Sequence, residues 1–429
     1  MCMQICRLAL KGGKIMIIND AVKGVNEKKI AGAWDKADEI LASQHANQWR
    51  VELPILRGDT PTFMEYPLAL NAEDLKGTDA VVLGIPFEGV TALSPTTSAP
   101  PTCGRPGHDS VYWRMGAEKP ESLDMIRKYS IFYSHKHNRG WFPEIHKEMC
   151  IDDYIKVKDY GDTDYDPAKI QETIDKAEAR VADIVAAGAV PIVFGGDHTV
   201  PIPTMKAVLK PRKEKVGLIV FDSHLDLCND PLNWASSQWY QAFELGKIDP
   251  SNFVEIGMRG VRNGLYERNV AKGLGHRYIT IDEIKDRGIK DVMDEALAIA
   301  TDGTDGIYMS LDIDVMEPSA VCSQKAPEIW GMTTDEMFHA IRRISREKII
   351  GVDINEYSAD YDFNGMGAQW CARVAIEFLG GMAVSMGFSL SPIEIIPFLW
   401  YLELLAVFAI ISIFVPHEPQ KSDTILLEF

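Results

Sequence analysis

Three apolar runs in this chain each end in carboxylates, two of them with an imidazole as well, and no other feature limits the fold as tightly. Val190 to Phe194 leads into Gly195-Gly196-Asp197-His198. Val216 to Val220 leads into Phe221-Asp222-Ser223-His224-Leu225-Asp226, and Ile307 to Leu311 leads into Asp312-Ile313-Asp314. Such β-prone runs read as buried strands, so each delivers hard, metal-seeking side chains from a strand's C-terminal end. Taken singly, an Asp-x-His-x-Asp is equally a turn that caps the next element. Three such ends in one chain resist that reading, because buried carboxylates without partners are costly. Among them His198, His224, Asp222, Asp226, Asp312 and Asp314 make a set suited to two divalent ions bridged by shared carboxylates.

Around these runs, further strands are predicted at Asp79 to Pro86, Lys156 to Tyr160, Phe253 to Gly257, Arg277 to Ile281 and Ile349 to Asn355. Helical periodicity separates them: Ile170, Ile174, Ala177, Val181 and Ile184 share one face. Other helices are expected after Pro203, from about Asp282 to Asp302, from Thr333 to Ile344 and from Met366 to Gly380. Strands joined by helices imply parallel, right-handed crossovers. The expectation is a three-layer α/β/α sandwich around an eight-stranded, mainly parallel sheet, with ligands at the C-terminal strand ends.

The 429 residues divide into an N-terminal arm (1–75), a catalytic domain (76–383) and an apolar C-terminal extension (384–429). Ile30, Ala33, Trp34, Ala37 and Ile40 fall on one helical face, so the arm is expected to be mostly helical. Between Ala92 and Asp152 lies a long loop region rich in aromatics, read as an ordered lid. His135, His137 and His146 are assigned there to surface or packing roles rather than to metal. The run Ile395 to Val415 is long enough to span a bilayer, but it carries Glu403 and has no basic flank. A tail anchor, a helix buried between subunits and an atypical extension all stay open for it, and membrane contact is not favoured.

A formal charge of −18 excludes nucleic acid as a partner, because nothing here would neutralise phosphates. It suits a cationic substrate only loosely. Seven scattered cysteines without Cys-x-x-Cys spacing suggest reduced thiols, and hence a cytoplasmic enzyme.

Gly195-Gly196-Asp197-His198-Thr199-Val200, Asp222-Ser223-His224-Leu225-Asp226 and Ser310-Leu311-Asp312-Ile313-Asp314-x-x-Glu317-Pro318 resemble, in order, the three signatures of the ureohydrolases. That family includes arginase, agmatinase and guanidinobutyrase, and the resemblance runs from about Asp79 to Ala383. It implies two divalent metal ions, Ni2+ or Mn2+. One would be held by His198, Asp222, Asp226 and Asp312, the other by Asp222, His224, Asp312 and Asp314. Oxygen and nitrogen ligand sets of this kind also accept cobalt or zinc. The resemblance further implies that Asp226 orients the attacking hydroxide and passes its proton to the leaving amine, and that Glu356 binds the guanidinium. Without the resemblance, Glu356 reads as a capping or solvent-facing acid. Family members form trimers and hexamers, so a homo-oligomer is expected.

Departures from the family pattern concern the substrate wall. Asn229 to Glu244 contains no His where arginine- or agmatine-cleaving members carry one. Pro327-Glu328-Ile329-Trp330-Gly331 replaces the usual Glu-Pro-Gly-Gly, and an insertion lies between about Ser94 and Ile126. Trp330 and the Ser-Gln-Trp stretch resemble the guanidine hydrolase branch of the family. This implies cleavage of free guanidine to urea and ammonia, with Trp330 walling the pocket or stacking on the cation, and Thr97 in the lid. Plain loop packing is the competing assignment for Trp330. Agmatinase or guanidinobutyrase activity is the alternative function. A formiminoglutamase-type amidine hydrolase, or a paralogue without catalysis, follows behind.

Overall fold

The protein is described from a computed structural model, which covers residues 7–11, 14–18, 62–87, 121–134, 151–166, 169–229 and 234–387. Contacts divide the chain into two units, Met1–Ile55 and Leu56–Phe429. In the first, strands β1 (Arg7–Lys11) and β2 (Lys14–Ile18) pair antiparallel. This part of the arm is therefore a hairpin where helix was expected. Leu8, Leu10, Ile15 and Ile17 alternate with their neighbours at the period of a strand. Residues 30–40, which carried the helical expectation, lie outside the described residues, as do Thr97, His135, His137, His146 and the apolar run 395–415.

In the second unit the apolar runs become strands β3 (Ala80–Ile85), β4 (Val157–Asp162), β5 (Val190–Gly195), β6 (Gly217–Phe221), β7 (Phe253–Met258), β8 (Arg277–Thr280), β9 (Ile307–Asp312) and β10 (Ile349–Asn355). They form one eight-stranded sheet in the order β4-β3-β5-β10-β9-β6-β7-β8, and every pairing is parallel. The inner strands are buried on both faces, which explains their unbroken apolar sequence. Along β6, Ile219 and Phe221 enter one apolar cluster while Leu218 and Val220 enter the other, so the sheet separates two cores. Each fully buried aliphatic side chain contributes roughly 1.5–3 kcal/mol.

Helices close both cores. In the helix Ile170–Ala186, Thr173, Ile174, Ala177, Val181 and Ile184 are buried on the expected face. The helix expected over 282–302 is two helices, Ile281–Arg287 and Ile289–Thr301. They break at Gly288, whose φ of 82° ends the first. The helix Met366–Gly387 runs past its expected end. Among the described residues no helix is long and apolar enough to cross a membrane.

Candidate metal centre

The strand order is what assembles the site. β5, β10, β9 and β6 are neighbours in that order, and their C-terminal ends carry His198, Glu356, Asp312 with Asp314, and Asp222 with His224 and Asp226. β10, the last strand in sequence, lies between β5 and β9, so Glu356 enters between ligands that come earlier in the chain.

Two groups of ligand atoms converge there: His198, Asp222 and Asp312, and Asp222, His224 and Asp314, each with its atoms within 4.8 Å of one another. Asp222 belongs to both. His198 Nδ1 lies 3.0 Å from Asp222 Oδ2, 3.1 Å from Asp226 Oδ2 and 3.5 Å from Asp312 Oδ2. His224 Nδ1 lies 2.9 Å from Asp314 Oδ2 and 3.5 Å from Asp222 Oδ1. Asp226 stands beside the first group and joins it through His198.

Capping and ligation turn out not to be alternatives, because each carboxylate has two oxygens. Asp222 Oδ1 accepts the His224 N–H at 2.6 Å, and Asp312 Oδ1 accepts the Asp314 N–H at 2.8 Å. Asp314 Oδ1 accepts from the Ser223 N–H at 3.0 Å and from Ser223 Oγ at 2.7 Å. One oxygen of each is braced and the other faces the centre. Asp222 Oδ2, Asp314 Oδ2 and His224 Nε2 are buried with no hydrogen-bond partner among the described residues, although two of them lie about 3 Å from an imidazole nitrogen. Atoms this close without hydrogen-bond alignment are aimed at a common point rather than at each other. Two divalent cations fit that donor set of carboxylates and imidazoles.

The charges point the same way. Burial, with Asp314 and Asp226 nearby, raises the Asp222 pKa, and burial with Asp314 and Asp222 raises Asp312 well above the carboxylate range. Burial opposes a charge on His198 and His224, yet their carboxylate neighbours hold both imidazoles well above the ordinary value. Burial likewise opposes ionisation of Asp314, but His224 and the Ser223 hydrogen bonds keep it below the usual range. Excess negative charge in a buried site thus retains protons that cations would replace.

A second layer of groups fixes these side chains. His198 Nε2 is 3.0 Å from Ser310 Oγ, which donates to Asp353 Oδ1 at 2.5 Å; Tyr308 and Asn355 also donate to Asp353. Trp239 is fully buried and meets the His198 ring edge-on at 5.3 Å. Gln238 Nε2 donates to Asp226 Oδ2 at 2.7 Å. Ser310 opens the third signature, and Gln238 and Trp239 belong to the Ser-Gln-Trp stretch, so the sequence marks their place but not these contacts. Tyr308, Asp353 and Asn355 carry no such mark.

Glu356 is nine-tenths buried and holds a left-handed backbone (φ 67°). Its N–H donates to the Gly196 carbonyl at 2.8 Å, and its Oε1 accepts the His198 N–H at 2.7 Å. Burial pushes the carboxyl up to about 7, with Lys325, 4.0 Å away, pulling it down. Asp226 (φ 48°) and Trp330 (φ 71°) share this backbone strain, which non-glycine residues tolerate mainly where the surroundings over-determine it. Trp330 is 53% exposed. Its loop is held by Arg259, which donates to the Glu328 and Ile329 carbonyls and to those of Asp314, Val315 and Met316.

Comparison with known proteins agrees with this geometry. The profile of the Arginase family matches residues 78–380. An agmatinase of Enterobacter sp. (strain 638) is 28% identical over 76% of this chain and 94% of its own length. A guanidinopropionase of Pseudomonas aeruginosa is 29% identical over 78% of this chain and 95% of its own. Among solved structures, proclavaminate amidino hydrolase from Streptomyces clavuligerus has a similar fold. Its TM-score is 0.62 at 24% identity, covering 77% of this chain and 99% of that one.

Proposed function

The chain belongs to the arginase family, whose members hydrolyse C–N bonds of amidino compounds, and from that premise we propose that it cleaves a small guanidino compound to urea, with free guanidine as the preferred substrate. One observation carries the reading: the buried Glu356 carboxylate beside the metal-ligand groups, fixed through the His198 N–H. A guanidinium is planar and cationic, and a carboxylate can accept two of its N–H groups at once. Its carbon is a poor electrophile, so the substrate must be held close to a strong nucleophile.

Bound divalent cations supply Lewis acidity and lower the pKa of water into the neutral range. His198, Asp222, Asp226 and Asp312 would hold one, and Asp222, His224, Asp312 and Asp314 the other. Glu356 binds and orients the guanidinium. Asp226 accepts the proton of the attacking water and returns it to the departing nitrogen, so water adds across the C–N bond and urea and ammonia leave.

Free guanidine is favoured by the rebuilt substrate side. Where a His is usual, the chain has Asn233 to Tyr240, and there Gln238 and Trp239 are buried. Trp330, on a loop pinned by Arg259, is assigned to the pocket wall, and Thr97 to the lid. The two ions are proposed to be nickel or manganese, and a cytoplasmic homo-oligomer built on a catalytic unit of residues 76–383 belongs to the same reading. The relatives' names favour a second reading, hydrolysis of agmatine or of a guanidino acid.

Urea release from guanidine, agmatine, 3-guanidinopropionate, 4-guanidinobutyrate and arginine, with protein loaded separately with nickel and with manganese, tests both. Turnover of guanidine with nickel is expected. Urea mainly from agmatine or a guanidino acid would overturn the substrate assignment. Formamide from a formimino compound would place the chain with amidine hydrolases of another kind.

A further inference from the structure

Three of the four ligand aspartates are braced by backbone N–H groups of the ligand segments themselves: Asp222 by His224, Asp312 by Asp314, and Asp314 by Ser223. Among the described residues Asp226 has no such brace. Its side-chain contacts among the described residues are His198 Nδ1 at 3.1 Å and Gln238 Nε2 at 2.7 Å, both on Oδ2. A cation on His198 Nδ1 occupies that nitrogen's lone pair and ends its role as a donor, which leaves Gln238 alone. Meanwhile the left-handed backbone of Asp226 gives its carboxylate no regular element to lean on.

Gln238 is itself placed at a cost. It is 1% exposed in the first turn of the helix Gln238–Glu244, and its Oε1 is buried without a hydrogen-bond partner among the described residues. A primary amide buried for one hydrogen bond loses more solvation than that bond returns in an ordinary core. Trp239, the next residue, is fixed edge-on to His198, so this helix start touches both His198 and Asp226.

We infer that Gln238 is the positioning residue for Asp226. It holds one carboxylate oxygen so that the group is presented in a single orientation to the ion shared with His198 and to the reacting water. The inference deepens the hydrolase reading above and rests on it for the role of Asp226. Partners behind a metal ligand typically change metal affinity or activity about 10–100-fold when removed. That loss should fall on one of the two ions.

The test uses Gln238→Leu, which keeps the volume and removes the donor, and Gln238→Asn, which keeps a donor on a shorter arm. Metal-free full-length protein is titrated with Mn2+ by calorimetry, and its Co2+ form is examined by visible absorption. In Gln238→Leu, one ion should bind about 10–100-fold more weakly with the other unchanged, and the cobalt bands should shift. Gln238→Asn should restore part of both. On whichever amidino compound the wild type cleaves, kcat should fall with KM within about twofold. Unchanged affinity for both ions, equal weakening of both, or a Gln238→Leu effect that Asn leaves fully in place would each overturn the assignment. Wild-type protein that binds two ions and cleaves no amidino compound would defeat the functional reading, while the metal titration would still decide the role of Gln238.

Discussion

His198 and Glu356 are joined by a hydrogen bond from the His198 backbone N–H to Glu356 Oε1 at 2.7 Å. The residue that offers a ligand imidazole from β5 therefore also sets the carboxylate delivered from β10. On the proposed reading, substrate binding and metal binding would share a piece of backbone, and the strand order makes that possible by seating β10 against β5.

Replacement of Glu356 by Gln keeps the shape and the acceptor but removes the charge. Two ions per chain should remain, measured by metal analysis. A charge-assisted hydrogen bond contributes about 1.5–3 kcal/mol, so kcat/KM should fall roughly tenfold to a hundredfold. Loss of metal from this variant would show that Glu356 serves the ligands rather than the substrate.

Asp222 is common to both ligand groups, whereas His224 and Asp314 belong to one. Asp222→Ala should therefore lose both ions, and His224→Ala one. Metal analysis after gel filtration decides this. Loading wild-type protein should also release protons, because the raised groups among Asp222, Asp312, His198 and His224 hold them until cations arrive. Calorimetry in buffers of different ionisation enthalpy reads that release.

A pH effect is expected from a buried pair behind the ligand carboxylates. His276 is buried against Glu255, with Nε2 2.6 Å from Oε2, and stacks on Phe253 at 4.6 Å. Burial lowers its pKa to about 4, and burial with the Asp222 and Asp226 charges nearby raises that of Glu255 well above the carboxylate range, which points to a neutral pair sharing one proton. Between the ordinary Glu and His values, 4.5 and 6.5, the unfolded chain holds one proton on His276 and the folded pair holds one on Glu255, so this pair should leave stability flat there. Above about pH 6.5 the unfolded chain releases its proton while the folded pair keeps one, so stability should decline as pH rises. In His276→Gln the decline in denaturant midpoint should begin lower, near pH 4.5, because only the Glu255 proton is left.

Gly195 stands where a side chain would collide. A Cβ there would lie 2.1 Å from Asn355 Oδ1 and 2.8 Å from a Val200 methyl. Gly195→Ala should cost about 1–3 kcal/mol by overpacking, read as a lowered denaturant midpoint. It should also disturb Asp353, to which Asn355 donates. Unchanged stability would mean that Asn355 moves freely.

The site was legible to the extent that its chemistry is local. Asp222, His224 and Asp226 alternate at the end of an apolar run, and Asp312 and Asp314 do the same, so a strand pattern and a ligand pattern coincide. The eight strands were legible for the same reason, since continuous apolar runs report burial on both faces. What depends on distant residues was not. No local pattern shows that β10 inserts between β5 and β9, or that Gln238 reaches Asp226. The break at Gly288 was hidden because Asp282 to Asp302 keeps a helical period on both sides of it. The hairpin at 7–18 was missed because its short alternating strands were absorbed into an arm judged by its later residues.

The insertion of β10 also bears on how the enzyme comes to hold its ions. His198 must wait 158 residues for the carboxylate that its own backbone N–H secures. At about 5–20 residues per second, that is roughly 10–30 s of synthesis during which the first ligands exist without their frame. Pairings of such long range also form late in folding, because loop closure must precede them. On the reading proposed above, the complete donor set with its Glu356 frame therefore exists only once β10 has joined the sheet.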